Sequence, residues 1–243
     1  MQTFDLTGKK ALITGSTQGI GYAIARCFVQ HGAEVWINGA SSEEKCRNAA
    51  AGLGCHYAFG DLRQAACAQR LYAQTGDVDI LVLNASVQFR KAWNEITPEE
   101  FDIQMHTNFR SSLLLIQKYA PHMQAQNWGR ILCVGSVQQT KPHKDMLIYA
   151  ASKCAQLSMA RNLAKQLAPS GITINNLAPG VFATPRNEAA LSDAAYAAQV
   201  LAQIPIGYAA EGQDACGAAL LLCSDAGRYI TGADLVVDGG MQL

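Results

Sequence analysis

An imbalance of charge is the first thing this chain lacks: 19 Lys and Arg stand against 19 Asp and Glu in 243 residues. Without a basic field there is no electrostatic footprint for nucleic acid. Long apolar runs are missing too, so no stretch approaches the roughly 20 residues that cross a bilayer as a helix. The opening Met1-Gln-Thr-Phe-Asp-Leu-Thr-Gly-Lys-Lys10 has none of the apolar core of a secretory signal. Eight cysteines are present, yet none forms a Cys-x-x-Cys pair, and Cys27, Cys133, Cys154 and Cys223 fall in apolar runs. Buried free thiols in a reducing compartment explain them more simply than disulfides or metal ligation. The expectations are therefore a cytoplasmic protein with no metal site, no membrane segment and no nucleic-acid partner. Internal repeats, low-complexity tracts and Pro/Ser-rich linkers are also absent, which predicts a single domain over residues 1–243.

What is present alternates. Short apolar runs at Ala11–Ile13, Glu34–Asn38, Cys55–Phe59, Asp79–Asn84, Arg130–Val134, Ile172–Leu177 and Asp234–Val237 read as seven strands. Helical patterns lie between them at Tyr22–Gln30, Ser42–Gly52, Gln64–Thr75, Pro98–Ala125, Leu147–Leu167 and Glu211–Cys223. Ser41 with Glu44 fits a capping box, and Thr97-Pro98 is a strong helix start. Strand–helix alternation predicts an α/β fold: a parallel sheet with helices on both faces. Thr184–Tyr208, bracketed by Pro185 and Pro205, reads as irregular.

The first strand runs into Thr14-Gly-Ser-Thr-Gln-Gly-Ile-Gly21 and then a helix. In that context Gly15 permits a sharp turn, Gly19 lets a pyrophosphate approach the backbone and Gly21 allows close helix packing. The free N–H groups of the first helical turn face the phosphates. Ordinary βα turns are also glycine-rich, so the motif needs company. It has some: Asn84, Ser136 and Pro179-Gly180 also follow strand ends and belong to the same sheet edge.

Tyr149 and Lys153 are four apart on one helix and so share a face. A phenol ordinarily titrates near 10, about three units too high for work near neutrality. A neighbouring ammonium favours the phenolate, and such a pair can give a proton to a carbonyl oxygen or take one from an alcohol. Ser136, at the end of the preceding strand, is placed to hold that oxygen.

In this arrangement the chain resembles a classical short-chain dehydrogenase/reductase from about Lys9 to Gly240. Thr14-Gly-x-x-x-Gly-Ile-Gly21 matches the family's cofactor loop, and Ser136, Tyr149 and Lys153 match its serine and Tyr-x-x-x-Lys motif. Asn108 matches the fourth member of its tetrad, Pro179-Gly180 with Thr184 its nicotinamide-side loop, and Val237-Asp238-Gly239-Gly240 its C-terminal ending. The resemblance implies a doubly wound Rossmann domain with Tyr149 as general acid/base. Lys153 then holds the nicotinamide ribose and tunes Tyr149, Ser136 positions the carbonyl, and Asn108 supports a water-mediated relay from Lys153. It also implies a cofactor site from Gly15, Thr17, Gln18, Gly19, Ile20, Ser41, Asp61, Leu62, Asn84 and Ala85, completed by Tyr149, Lys153, Pro179, Gly180, Phe182 and Thr184. Asp61 approaches the adenine in such proteins, although a helix-capping role is open to it. Where the family often has Asn-Asn-Ala-Gly, this chain has Leu83-Asn84-Ala85-Ser86, which puts the local backbone at Ser86 in question.

No acid follows the second strand to select NAD(H) through the ribose 2′-hydroxyl, whereas Ser41, Ser42 and Lys45 can meet a 2′-phosphate. NADP(H) is favoured, with NAD(H) possible, although Gln18 and Ala40 stand where NADP-using relatives often have cations. The substrate segments offer Ser86, Gln88, Arg90, Gln138, Gln139, His143, Lys144, Arg186 and Asn187, a polar and cationic set. A small sugar, sugar acid or keto-acid suits them better than a 3-oxoacyl thioester. A non-catalytic dinucleotide-binding redox sensor and a sugar-nucleotide epimerase are further readings; the intact tetrad disfavours the first and the glycine spacing the second. Leu113, Leu114, Leu115, Ile116, Leu157, Met159, Leu163 and Leu167 give the two long helices more apolar surface than one sheet face needs and predict a homo-oligomer with closed symmetry; the resemblance implies a homotetramer.

Overall fold

A computed structural model describes residues 3–243, so Met1 and Gln2 of the expected domain lie outside the described residues. Seven strands form one parallel sheet: β1 Lys10–Ile13, β2 Glu34–Gly39, β3 His56–Phe59, β4 Ile80–Leu83, β5 Gly129–Val134, β6 Ile172–Pro179 and β7 Asp234–Val237. Their spatial order is β3-β2-β1-β4-β5-β6-β7. The chain moves outward from β1, returns to the middle and moves outward the other way. Ala11 pairs with Val35 on one side and Ile80 on the other. This reversal opens a crevice beyond the carboxyl ends of β1 and β4.

All residues of β4, β5 and β6 are buried because both sheet faces are covered. Successive side chains go to opposite faces. Ile80 and Val82 join a core with Ile24 and Phe28 of α1 (Gly19–Gln30) and Leu220 of α9 (Cys216–Cys223). Leu81 and Leu83 face a second core with α3 (Cys67–Thr75), α5 (Ser111–Ala125) and α6 (Leu147–Leu167).

Several boundaries differ from the sequence reading. The helix over 98–125 is not uniform: α4 Pro98–Met105 passes into a π-helical turn, His106–Arg110, before α5. Such turns recur at functional sites. Here Ser111 and Ser112 return their hydroxyls to the carbonyls of Thr107, at 2.6 Å, and Asn108, at 3.3 Å. Ser42, not Ser41, caps α2 (Glu43–Leu53), accepting from Lys45 N at 3.3 Å, because β2 runs on through Gly39 and delays the helix by one residue. Asp61 caps no helix. Its carboxylate accepts from Arg63 N within a turn, and α3 starts only at Cys67. The helix over 211–223 opens as a 3-10 turn, Gly212–Ala215. Cys154 is exposed on α6, against the expectation of a buried thiol, while all eight cysteines are free.

Thr184–Tyr208 is not irregular. It carries α7 Glu188–Ser192 and α8 Ala194–Leu201, and Asp193 caps the latter through Ala195 N and Tyr196 N. The ends of this excursion meet. Ala183 N donates to Ala210 O at 2.7 Å, and Ala210 N donates to Val181 O at 3.0 Å. Among the described residues no helix is long and apolar enough to cross a membrane. Leu115, Ile116 and Leu167 of the set expected to pair subunits are intramolecular core. Leu114, Met159 and Leu163 are half-buried against it.

Candidate active site

The crevice deepens into a cavity of about 1030 Å³. Its floor is the glycine turn. Gly15 has φ +60°, and a Cβ there would stand 2.7 Å from Ala85 Cα; a Cβ at Gly21 would strike Asn84 Nδ2. Only glycine lets β1, β4 and α1 converge this closely. Asn84 secures the junction by donating from Nδ2 to Thr14 O at 2.8 Å and Gly15 O at 2.9 Å. Buried Asn38 does the same from β2, accepting from Gly15 N and donating to Ala58 O and Gly60 O. Sequence reasoning missed this role, since one polar residue at a strand end carries no signal of its own.

Gly15, Thr17, Gln18, Gly19 and Ile20 line the cavity together with Ser41, Asp61, Leu62, Asn84 and Ala85. Pro179, Gly180, Phe182 and Thr184 close it from β6. The narrow approach over the glycines, with α1 starting at Gly19, fits a dinucleotide pyrophosphate. At the β2 end, Lys45 Nζ donates to Gln18 Oε1 at 2.7 Å, and Arg63, another missed lining residue, pairs with Asp61 at 2.6 Å. This pairing and the turn bond from Arg63 N hold the Asp61 carboxyl below its usual range.

Ser136 and Tyr149 form the wall. Ser136 follows β5 and caps the turn after it; its N donates to Gln139 Oε1 at 2.8 Å and its Oγ accepts from Gln138 N at 3.2 Å. Lys153 lies behind this wall, 1 % exposed, with Nζ 5.8 Å from the Tyr149 ring centroid. Nζ donates to Val134 O at 2.6 Å and to Gln156 Oε1 at 3.2 Å. Burial, reinforced by the Arg186 charge, pulls the ammonium down to about 7. Asn108 does not reach the cavity either. It is fully buried in the π turn, bonded to Val87 and to Ser152 Oγ, and Ser152 in turn donates to Tyr149 O.

Beyond Tyr149 the lining turns cationic. Arg90 Nη2 lies 3.0 Å from His143 Nε2 and 2.8 Å from Tyr196 OH. Arg186 donates to Ser86 Oγ at 2.9 Å and Ser86 O at 2.7 Å. Neither arginine pairs with a carboxylate among the described residues. Burial first and then the Arg90 charge hold the His143 imidazole below its ordinary value. Ser86 sits in ordinary backbone, since Asn127 alone among described non-glycine residues has positive φ. The serine is therefore accommodated where the family often has glycine. Gln88, Gln138 and Asn187 line the cavity; Gln139 and Lys144 do not. Gln139 is committed to Ser136, and the Lys144 side chain is 86 % exposed.

A doubly wound sheet, a glycine turn at its switch point and a Ser/Tyr wall backed by lysine define a nicotinamide-dependent oxidoreductase. A family model described as enoyl-(acyl carrier protein) reductase matches residues 15–242. The chain is 35% identical over 242 residues to the 3-oxoacyl-(acyl-carrier-protein) reductase of Salmonella typhimurium, covering 97% of this chain and 98% of that protein. It is 32% identical over 248 residues to the gluconate 5-dehydrogenase of Gluconobacter oxydans, covering 99% and 97%. The crystal structure of a gluconate 5-dehydrogenase from Burkholderia cenocepacia, in complex with NADP and tartrate, superposes with a TM-score of 0.90 at 34% identity, covering 98% and 97%. The chain belongs to the short-chain dehydrogenase/reductase family and is an oxidoreductase acting on CH–OH groups.

Proposed function

We propose that this enzyme interconverts a ketone and a secondary alcohol on a small polyhydroxylated substrate carrying a carboxylate, with NADP(H) as its cofactor. The observation behind the substrate class is the pair Arg90 and Arg186, two cations beside the Ser136/Tyr149 wall without a carboxylate partner among the described residues. A substrate carboxylate supplies that partner, and hydroxyls satisfy Gln88 and Asn187. The NADP(H) assignment rests on the absence of an acid after β2, on Lys45 and Arg63 near that end, and on the NADP held by the Burkholderia relative.

Ser136 Oγ donates a hydrogen bond to the substrate carbonyl oxygen, and Tyr149 delivers the proton to it in reduction or removes it in oxidation. Lys153 has three N–H donors. Val134 and Gln156 take two, leaving one for the nicotinamide ribose. Asn108, held in the π turn beside Ser152, supports a water-mediated relay from Lys153. The bound nicotinamide supplies or accepts the hydride. Half-exposed Phe101 and Leu147 on α4 and α6 support closure of these helices against another subunit in a homotetramer. Free cysteines support a reducing cytoplasmic setting.

The deciding experiment is competition. Keto-sugars and keto-acids are offered with NADPH or NADH against a 3-oxoacyl thioester, and light scattering gives the assembly mass. Preferred turnover of a keto-acid with NADPH supports the reading. Faster reduction of the thioester transfers the apolar cavity residues Met146, Val181 and Leu191 to an acyl-chain role and overturns it.

A further inference from the structure

Gln156 has no place in the tetrad, yet it is completely buried one turn beyond Lys153 on α6. A buried amide must find partners for both its ends. Those of Gln156 are specific. Its Oε1 accepts from Lys153 Nζ at 3.2 Å, and its Nε2 donates to Ser112 Oγ at 2.9 Å. Ser112 passes its own hydrogen to Asn108 O at 3.3 Å. Every donor in this series points the same way, from the ammonium to the carbonyl in the π turn. Bonds aligned in this sense polarise one another in a water-poor interior.

We propose that Gln156 is a positioning residue that holds the Lys153 ammonium charged and oriented by coupling it, through Ser112, to the Asn108 carbonyl. Lys153 sits in surroundings that disfavour its charge. Its titratable and charged neighbours are Cys133 from β5, Arg186 from the chain after β6 and Tyr149 on its own helix. None of these is a carboxylate. The neutral acceptors Val134 O and Gln156 Oε1 are what solvate the ammonium in place of water. Val134 O is fixed by the sheet, so Gln156 also determines which way the third N–H points. A simple packing role would be met equally well by methionine, which matches the length and flexibility of the side chain but accepts no comparable bond.

The proposal rests on the assignment of Tyr149 and Lys153 above, and its test separates the two. Protein carrying 13Cε-labelled lysine is titrated by NMR, with the Lys153 resonance identified by its loss in Lys153→Met. In Gln156→Met the Lys153 midpoint falls by about one pH unit or more, the scale of a lost bond to a charged donor. Ser112→Ala, which keeps the amide but unhooks it from Asn108, moves the midpoint in the same direction by less. Gln156→Glu, which places a carboxylate beside the ammonium, moves it up. Unchanged midpoints in Ser112→Ala and in whichever Gln156 variant folds overturn the proposal while leaving the tetrad intact. Retention of ketone reduction by Lys153→Met, measured with the best keto-acid of the panel and NADPH, overturns both.

Discussion

Asn108 closes a two-bond ring on the backbone of Val87: Oδ1 accepts from Val87 N and Nδ2 donates to Val87 O, both at 2.9 Å. One turn earlier, Gln104 Oε1 accepts from Phe89 N at 3.2 Å. The loop after β4, which forms one side of the cavity, is therefore fastened to the helix by side chains four residues apart. Asn108→Ala orphans both Val87 groups and is expected to cost about 2–3 kcal/mol, the scale for unpaired polar groups. It should also loosen Ser86 and Gln88 and raise KM. Urea denaturation with parallel steady-state kinetics checks this, and an unchanged urea midpoint would refute it.

Removing only the Tyr149 hydroxyl leaves the ring to pack. Tyr149→Phe should fold, bind NADPH and lose about 10²–10⁴-fold in kcat, the range for a deleted general acid. Near-normal turnover would place the proton donor elsewhere.

Lys153 gives a pH signature in stability. Its folded ammonium releases its proton at about 7, against an ordinary lysine value of 10.5. Between these limits the unfolded chain binds the proton that the folded chain has lost, so this residue's contribution to stability rises with pH. The cost of burying the charge is complete below about 7 and gone above 10.5. Urea midpoints of the parent should gain on those of Lys153→Met between pH 7 and about 10, the free thiols being common to both proteins. Parallel midpoints would mean the ammonium is not desolvated.

The cationic end of the cavity should discriminate by charge. Arg186→Ala and Arg90→Ala are each expected to raise KM for a keto-acid by about 10–100-fold, the equivalent of a charge-assisted hydrogen bond. The corresponding uncharged ketone should change little. Equal losses for both substrates would assign the arginines to loop structure or to the cofactor.

The strands were legible because a strand buried on both faces must be apolar throughout, as Ile80–Leu83 is. The glycine turn and Ser136 stood out because each follows a strand end on one sheet edge, and Tyr149 and Lys153 because, with them, they resemble one family's motifs in the same order. Other features left no mark. A π turn of five residues is too short to shift a helical period visibly, so His106–Arg110 was hidden within a longer pattern. Gln156 and Ser152 look like a solvent-facing stripe until packing against the π turn and α5 buries both. Pro185, Pro205 and the many alanines masked α7 and α8, and the start of α8 is set by the Asp193 cap rather than by an apolar face.

The meeting of Phe182 with Ala210 makes residues 183–209 a closed excursion, secured where it leaves the sheet and where it returns. Closure is fixed at that clasp, so the interior of the excursion is free to change length at about 0.6 kcal/mol for each doubling. The excursion is thus built as an interchangeable cassette. Grafting the equivalent segment of another family member between Val181 and Glu211 should carry substrate preference with it and leave the Ser136, Tyr149 and Lys153 scaffold undisturbed.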